Sequence, residues 1–488
     1  MLVVIGLGLY TLRLVLIALG VADYGIYSVI GGIVALFGFL NAAMTSAMQR
    51  FFSLALGCGD RQKLLKNINV AIVIHIVIAV LVLVVAQALG GVLIESYLNF
   101  PDERIESALF VYRVSVVSSV VVILQSPFLA LLLSYEKMNV YAFIGVMDAL
   151  MKLILAFILI GFFDNKLQAY SIGMLMVVSI VTVLIVCYCF LYFEDCRFKL
   201  IRDRKEYLEI FKFVGWNVFG NISHMLKMHG SNVLLNVFFG AIVNAAYAVT
   251  FQFQALISMF ANGFSQAVNP KIYKIYSTGD SERLSNIVFF SSRFLFFLIL
   301  LVVVPLFGVL DGVLGIWLES VPEYTVEFIS LALVNSAIDV VSLPLITLAL
   351  ATGNIKRYQL LVSSVLLASL PISYVFFEYG FEPYTIFYIS ISVSLIALGI
   401  RLFIVCSMTD LEVRAFFREV IFNILSVLVI LVPLLCIFDF YVLTRCGVKN
   451  IFVIGFLYFF ISLLIIWFNG ASKREKSKIK AYFWSKIG

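Results

Sequence analysis

The chain has 488 residues, of which 63% are hydrophobic and only 13% charged, with a mean hydropathy of +1.09 and a formal net charge of +6. Soluble domains carry roughly 25% charged residues, so a soluble globular protein is excluded and a polytopic membrane protein is indicated. The apolar runs last about 20 residues, the length at which a helix crosses ~30 Å of hydrocarbon, whereas barrel strands alternate apolar and polar residues over ~10.

Taken in chain order, the runs predict an all-α integral membrane protein with fourteen transmembrane helices at 2–19, 24–50, 69–94, 109–133, 140–163, 167–192, 213–238, 243–268, 287–310, 326–350, 358–378, 384–407, 419–438 and 450–469. The first run begins at Leu2 with no polar lead, which raises the expectation that the native N-terminus is longer. Alternate loops hold twenty-three basic residues against four (Arg104, Lys166, Arg445, Lys449) on the opposite side. By the positive-inside rule the basic set is cytoplasmic, with both termini inside. The basic tail Ser472–Gly488, with Tyr482, Phe483 and Trp484, reads as a segment lying on the inner membrane surface.

The chain matches itself when slid by 220 positions. Over Leu14–Leu64 and Leu234–Leu284 the identical pairs include Gly20/Gly240, Tyr27/Tyr247, Gly59/Gly279 and Asp60/Asp280. A period of this length is too long for a solenoid and suits a transporter built from two similar halves. The division that follows is a six-helix bundle at 1–193, a cytoplasmic linker at 194–212, a second bundle at 213–407, two added helices at 408–469 and the tail at 470–488.

Ionisable groups inside a bilayer are costly, so each needs a reason. Asp148 and Lys152 stand four apart and pair on one helical face. Arg293 and Arg401 lie near helix ends and are expected to snorkel to the headgroups. Arg13 and Lys227 lie well within helices 1 and 7, which favours a water-filled cavity; Arg50 and Arg113 are further candidates. Polar stripes follow single helical faces: Asn41, Thr45 and Gln49 on helix 2; Asn217, Asn221, His224, Lys227 and Ser231 on helix 7; Gln254, Ser258, Asn262, Ser265 and Asn269 on helix 8. The bland alternative for such stripes is interhelical hydrogen bonding. Together they point to a net basic cavity where helices 1, 2, 7 and 8 meet. Asp339, with Asn335 one turn earlier, and His224 are candidates for ion coupling. Pro305, Pro344 and Asn269-Pro270 are expected bend points. No metal site or catalytic constellation is read; the seven cysteines and three histidines lack metal-type spacing.

Leu19-Gly20-Val21-Ala22-Asp23-Tyr24-Gly25-Ile26-Tyr27, Gln49-Arg50-Phe51, Ser134-Tyr135-Glu136-Lys137-Met138-Asn139, Gly215-Trp216-Asn217, Leu235-Asn236-Val237-Phe238-Phe239-Gly240 and Ala267-Val268-Asn269-Pro270 resemble the polysaccharide flippases of the MATE/MOP superfamily. The resemblance implies two pseudo-symmetric six-helix bundles in a V plus two C-terminal helices. It implies that the chain flips an undecaprenyl-diphosphate-linked oligosaccharide across the bacterial inner membrane by alternating access, for O-antigen or related surface polysaccharide assembly. Relatives use a basic central cavity with Arg on the first two helices, places that Arg13 and Arg50 hold here, and Lys227 would be the second half's contribution. Implied partners are the lipid-linked substrate, membrane lipids, a polysaccharide polymerase and chain-length proteins, with no nucleic acid. No cofactor is implied beyond a coupling H+ or Na+. Two other classes stay open: a cation-coupled multidrug or small-molecule exporter centred on Asp339, and a membrane glycan polymerase or transferase using acids of the outer loops Glu95–Ala108 and Asp311–Thr325.

Overall fold

The computed structural model describes residues 2–35, 38–96, 102–162, 165–197, 199, 201, 203–317, 321–438, 451–470 and 476. These residues are almost wholly helical, with no strand among them. The helices are α1 (Leu2–Ala35), α2 (Gly38–Gly57), α3 (Arg61–Ser96), α4 (Asp102–Ser134), α5 (Met138–Phe162), α6 (Lys166–Tyr192), α7 (Arg204–Thr278), α8 (Ser281–Trp317), α9 (Thr325–Val341), α10 (Leu343–Thr352), α11 (Lys356–Glu378), α12 (Thr385–Met408), α13 (Val413–Phe416), α14 (Phe422–Phe438) and α15 (Ile451–Ile465). Ten of the described helices are long and apolar enough to cross a membrane by length and composition.

Fourteen spans follow from this order once α1 and α7 are divided at two kinks, and the second part of α1 with α2, α9 with α10, and α13 with α14 are each counted as one span. Gly20 interrupts α1 at φ 75°, ψ 168°, and Gly240 interrupts α7 at φ 77°, ψ −165°. This backbone region is essentially restricted to glycine because an L side chain there strains against its own flanking backbone, although the space around both positions is open. The kink in α7 folds the chain back on itself: the Tyr247 hydroxyl donates to the Met228 carbonyl at 3.1 Å. Along an unbroken helix residues nineteen apart would stand ~28 Å apart. The expected divisions 19/24 and 238/243 are therefore single-residue reversals rather than loops.

The second shared punctuation is equally regular. Gly59 and Gly279 have φ of 69° and 73°. The carboxylates of Asp60 and Asp280 then accept from the backbone N–H of Lys63 and Arg283, at 2.9 and 3.0 Å. Each acid caps the helix that follows, satisfying an orphan donor of its first turn.

Helices run further than the hydropathy runs predict. α3 starts at Arg61 and α7 at Arg204, because a helix with capped ends continues past the hydrocarbon edge. The expected outer loop Glu95–Ala108 shrinks accordingly, α3 ending at Ser96 and α4 starting at Asp102. Pro305 and Pro270 sit inside α8 and the second part of α7 without breaking them, whereas the tenth span breaks at Ser342, two residues before Pro344. Arg445, Lys449 and all tail residues from 471 on except Lys476 lie outside the described residues.

The chain forms two compact units, Met1–Ile222 with Tyr273–Thr278, and Ser223–Ile272 with Gly279–Gly488. In the first, α4 packs against α1, α2, α3 and α6. Its core joins Leu14, Leu19, Ile26 and Ile30, from both sides of the Gly20 kink, to Val111 and Tyr112. The loop between α6 and α7 is held onto this unit: Asn69 bonds to the Arg197 carbonyl and the Lys199 N–H at 2.9 and 2.6 Å, and the Tyr135 hydroxyl donates to Asp195 at 2.7 Å. In the second unit, Leu235, Ala246 and Tyr247 flank the Gly240 kink and pack with Phe328, Phe377 and Phe387.

Candidate functional site

Among the described residues, three polar cavities are built around the helices that carry the kinks, and the lining of each comes from one unit. The largest, about 650 Å³, belongs to the second unit. Its wall takes His224, Lys227 and Ser231 from before the Gly240 kink and Gln254, Ser258 and Asn262 from after it. α9 adds Asn335, Ser336 and Asp339, and α12 adds Ser390. The volume lies within the ~300–1,000 Å³ of small-molecule sites. The Asn335 amide donates to Asp339 at 3.0 Å, while the buried Asn335 Oδ1 has no partner. Lys227 and Asp339 share this wall without forming an ion pair within 4.0 Å.

The first unit has two smaller cavities. One, about 300 Å³, is lined by Thr11, Tyr24, Tyr27 and Tyr170 together with Asp148 and Lys152. The expected Asp148–Lys152 pair is present there at 2.7 Å. The other, about 270 Å³, is neutral, with Asn41, Ser115, Ser118, Ser119, Ser171 and Tyr27 on its wall. Ser126 donates to the Asn41 side chain.

The cavities obey the 220-residue repeat. Tyr27/Tyr247, Gly31/Phe251 and Val34/Gln254 are related pairs, and every member lines a cavity in its own unit. So do Gly8/Met228 and Thr11/Ser231. Thr11 and the tyrosines have no charge or polar spacing to single them out. The identity of Tyr27 with Tyr247 across the repeat is the signal that could have found them.

Several expected site residues lie elsewhere. Arg13 and Arg113 are exposed and line none of the three cavities. Arg50 is buried, its guanidinium 4.8 Å from the Phe51 ring and 4.6 Å from the Phe213 ring, an arrangement worth ~0.5–2 kcal/mol. Thr45 is half-buried and Gln49 buried, outside the cavities. Asn217 donates to the Ala43 carbonyl at 2.7 Å and Asn221 to the Asn217 carbonyl at 2.8 Å. Asn269 accepts from the Thr347 hydroxyl at 2.8 Å. Asn217 and Asn269 thus act as the interhelical hydrogen-bonding glue that was the alternative for the stripes, while the Asn221 bond stays within α7. Two expectations are corrected: Arg293 and Arg401 do not snorkel. Both are buried; Arg293 donates to the Glu419 carbonyl at 3.1 Å, and Arg401 lies beside the Tyr358 hydroxyl. A nearby acceptor inside the protein makes the route to the headgroups unnecessary.

No protein-family profile and no curated protein sequence matches this chain. Solved structures do match. An outward-facing multidrug resistance MATE family transporter of the MOP superfamily aligns with a TM-score of 0.72 at 13% identity, over 84% of this chain and 94% of that one. A MATE transporter in the straight conformation gives the same figures: 0.72, 13%, 84% and 94%. A MOP superfamily transporter from Pyrococcus furiosus Vc1, described as having a binding pocket of reversed polarity that suggests a different function, aligns at 0.69 and 14%, over 83% and 94%. These relatives are transporters rather than enzymes, and the chain has the fold of the MATE/MOP transporters.

Proposed function

We propose that this protein moves a lipid-linked oligosaccharide, with undecaprenyl diphosphate as the carrier, across the bacterial inner membrane by alternating access. The observation that carries the reading is the polar lining of the largest described cavity, where no carboxylate stands on a wall without a lysine. The 650 Å³ cavity sets Lys227 among Gln254, Ser258, Asn262 and Asn335, donors suited to phosphate and sugar oxygens. Each of the two acids on the cavity walls, Asp148 and Asp339, shares its wall with a lysine. A cationic drug therefore meets no uncompensated carboxylate. A glycan-diphosphate head is too polar to cross hydrocarbon and needs such a wet wall, while its polyprenyl tail stays in lipid. Both termini are assigned to the cytoplasm, and the polymerase and chain-length proteins of surface polysaccharide assembly are the partners of this reading.

The test is surface glycan display in cells that depend on this chain. Lys227→Ala is expected to abolish display at normal protein level; full display would remove the mechanism that rests on this cavity. A second reading, a cation-coupled multidrug exporter, is favoured by the multidrug transporters among the similar structures. On that reading Asp339→Asn abolishes drug resistance and leaves glycan display intact.

A further inference from the structure

The two units solve one electrostatic problem in the same way. Each places a carboxylate on the wall of a polar cavity, and each places a lysine on that wall. In the first unit the two are joined: Lys152 Nζ stands 2.7 Å from Asp148 Oδ2, with both side chains about two-thirds buried. In the second unit they come from different helices, Lys227 from α7 and Asp339 from α9, and stand more than 4.0 Å apart. The arrangement is not a repeat of sequence. Lys152 lies on α5, whereas Lys227 is on the helix related to α1, where Leu7 is its counterpart.

The acceptor set around Asp339 is that of a cation seat. Asn335 donates its amide to one carboxylate oxygen and so fixes the rotamer of both side chains. That leaves Asn335 Oδ1 buried without a donor, although Asn335 is only 7% exposed. A buried acceptor without a partner is costly and marks a place for a donor. An ammonium carries three donors and no acceptor, and Lys227 is on the same wall at the end of a flexible four-carbon arm. An added monovalent cation would be placed next to an existing positive charge.

We propose that Lys152 and Lys227 are resident counter-cations, which hold Asp148 and Asp339 against alkali ions and cationic ligands. The inference stands whichever passenger is carried. It concerns what the acids bind, not what the cavity transports. It also separates this chain from a transporter that would draw on a sodium gradient through either acid.

The experiment uses the full-length protein in lipid nanodiscs and two readouts that need no substrate: binding of radioactive sodium, and the shift in unfolding temperature when sodium replaces choline. The wild type is expected to show neither. Lys227→Met and Lys152→Met are each expected to gain saturable, sodium-specific binding, tightened at least about tenfold by removal of the neighbouring positive charge. Adding Asp339→Asn to the first and Asp148→Asn to the second is expected to abolish the gain. Lys152→Gln replaces Lys152→Met if the latter elutes as aggregate. Saturable sodium binding by the wild type that is lost in Asp339→Asn or Asp148→Asn overturns the proposal. So does a monodisperse Lys227→Met protein with no gain. Loss of glycan display in the earlier test bears on the passenger and leaves this result unaffected.

Discussion

The first unit divides its polar interior into two cavities of about 270 and 300 Å³, one neutral and one with a locked ion pair. The second unit lines a cavity of about 650 Å³ with polar residues of α7, α9 and α12, and Lys227 and Asp339 remain apart on its wall. The backbone beneath them hardly differs. Gly20 and Gly240 kink the chain at φ of 75° and 77°, and Asp60 and Asp280 cap the same turn at 2.9 and 3.0 Å. The lesson is that one set of backbone turns supports two kinds of interior. Positions where only one residue type fits the dihedral angles are kept, and wall positions such as Val34/Gln254 are free to change chemistry.

If that equivalence is right, the largest losses come from the kinks. Gly20→Ala and Gly240→Ala are each expected to cost ~1–3 kcal/mol, since both require a glycine-only backbone. Unfolding in detergent measures it, and a cost at one glycine but not the other breaks the comparison. Next come the caps. Asp60→Ala and Asp280→Ala should each lose about 1 kcal/mol and be matched within error. The two units are expected to differ where their contacts do. Glu136 holds Lys274 at 2.7 Å within the first unit and has a positive φ of 57°. The pair is half-buried, so Glu136→Gln should cost less than about 1 kcal/mol. Exchanging the two charges should restore part of that loss.

The mildest perturbation is thiol labelling, which leaves the fold untouched. Burial pushes the Cys196 thiol up to about 11, in the loop that follows α6, whereas Cys58 is exposed. At pH 8 a maleimide is expected to modify Cys58 first, with Cys196 slower by on the order of a hundredfold, because the thiolate is the reacting species. An impermeant reagent reaching Cys58 only after the inner face is opened would support the cytoplasmic placement of the Gly-Asp turn; labelling from outside would reverse the orientation.

Much of this was readable in the chain. A hydrophobic run of ~20 residues marks a span whatever its neighbours do, so the fourteen spans could be counted. The stripes His224/Lys227/Ser231 and Gln254/Ser258/Asn262 keep a helical period and so had to share faces; they line one cavity. Asp148–Lys152 is a local pair at spacing four. What could not be read depends on contacts between distant segments. Phe213 lies far along the chain from Arg50, and no periodicity announces that its ring will cover the guanidinium. Ser390 and Tyr170 join their cavities for the same reason. The fates of Arg293 and Asn217 turned on single carbonyls, those of Glu419 and Ala43, and every residue offers a carbonyl.

The matched glycine kinks have a consequence for how such a chain could arise. Each kink yields two helical segments from one; with the second part of α1 and α2 counted as one span, α3 to α6 bring the first half to six before α7 begins. Six is even, so a tandem duplication of the ancestral gene would insert its second copy in the same orientation as the first. No extra linking helix and no inverted insertion of the ancestor are required. Side chains could then drift until few identities remained, while a glycine with no permissible substitute kept the two copies in register.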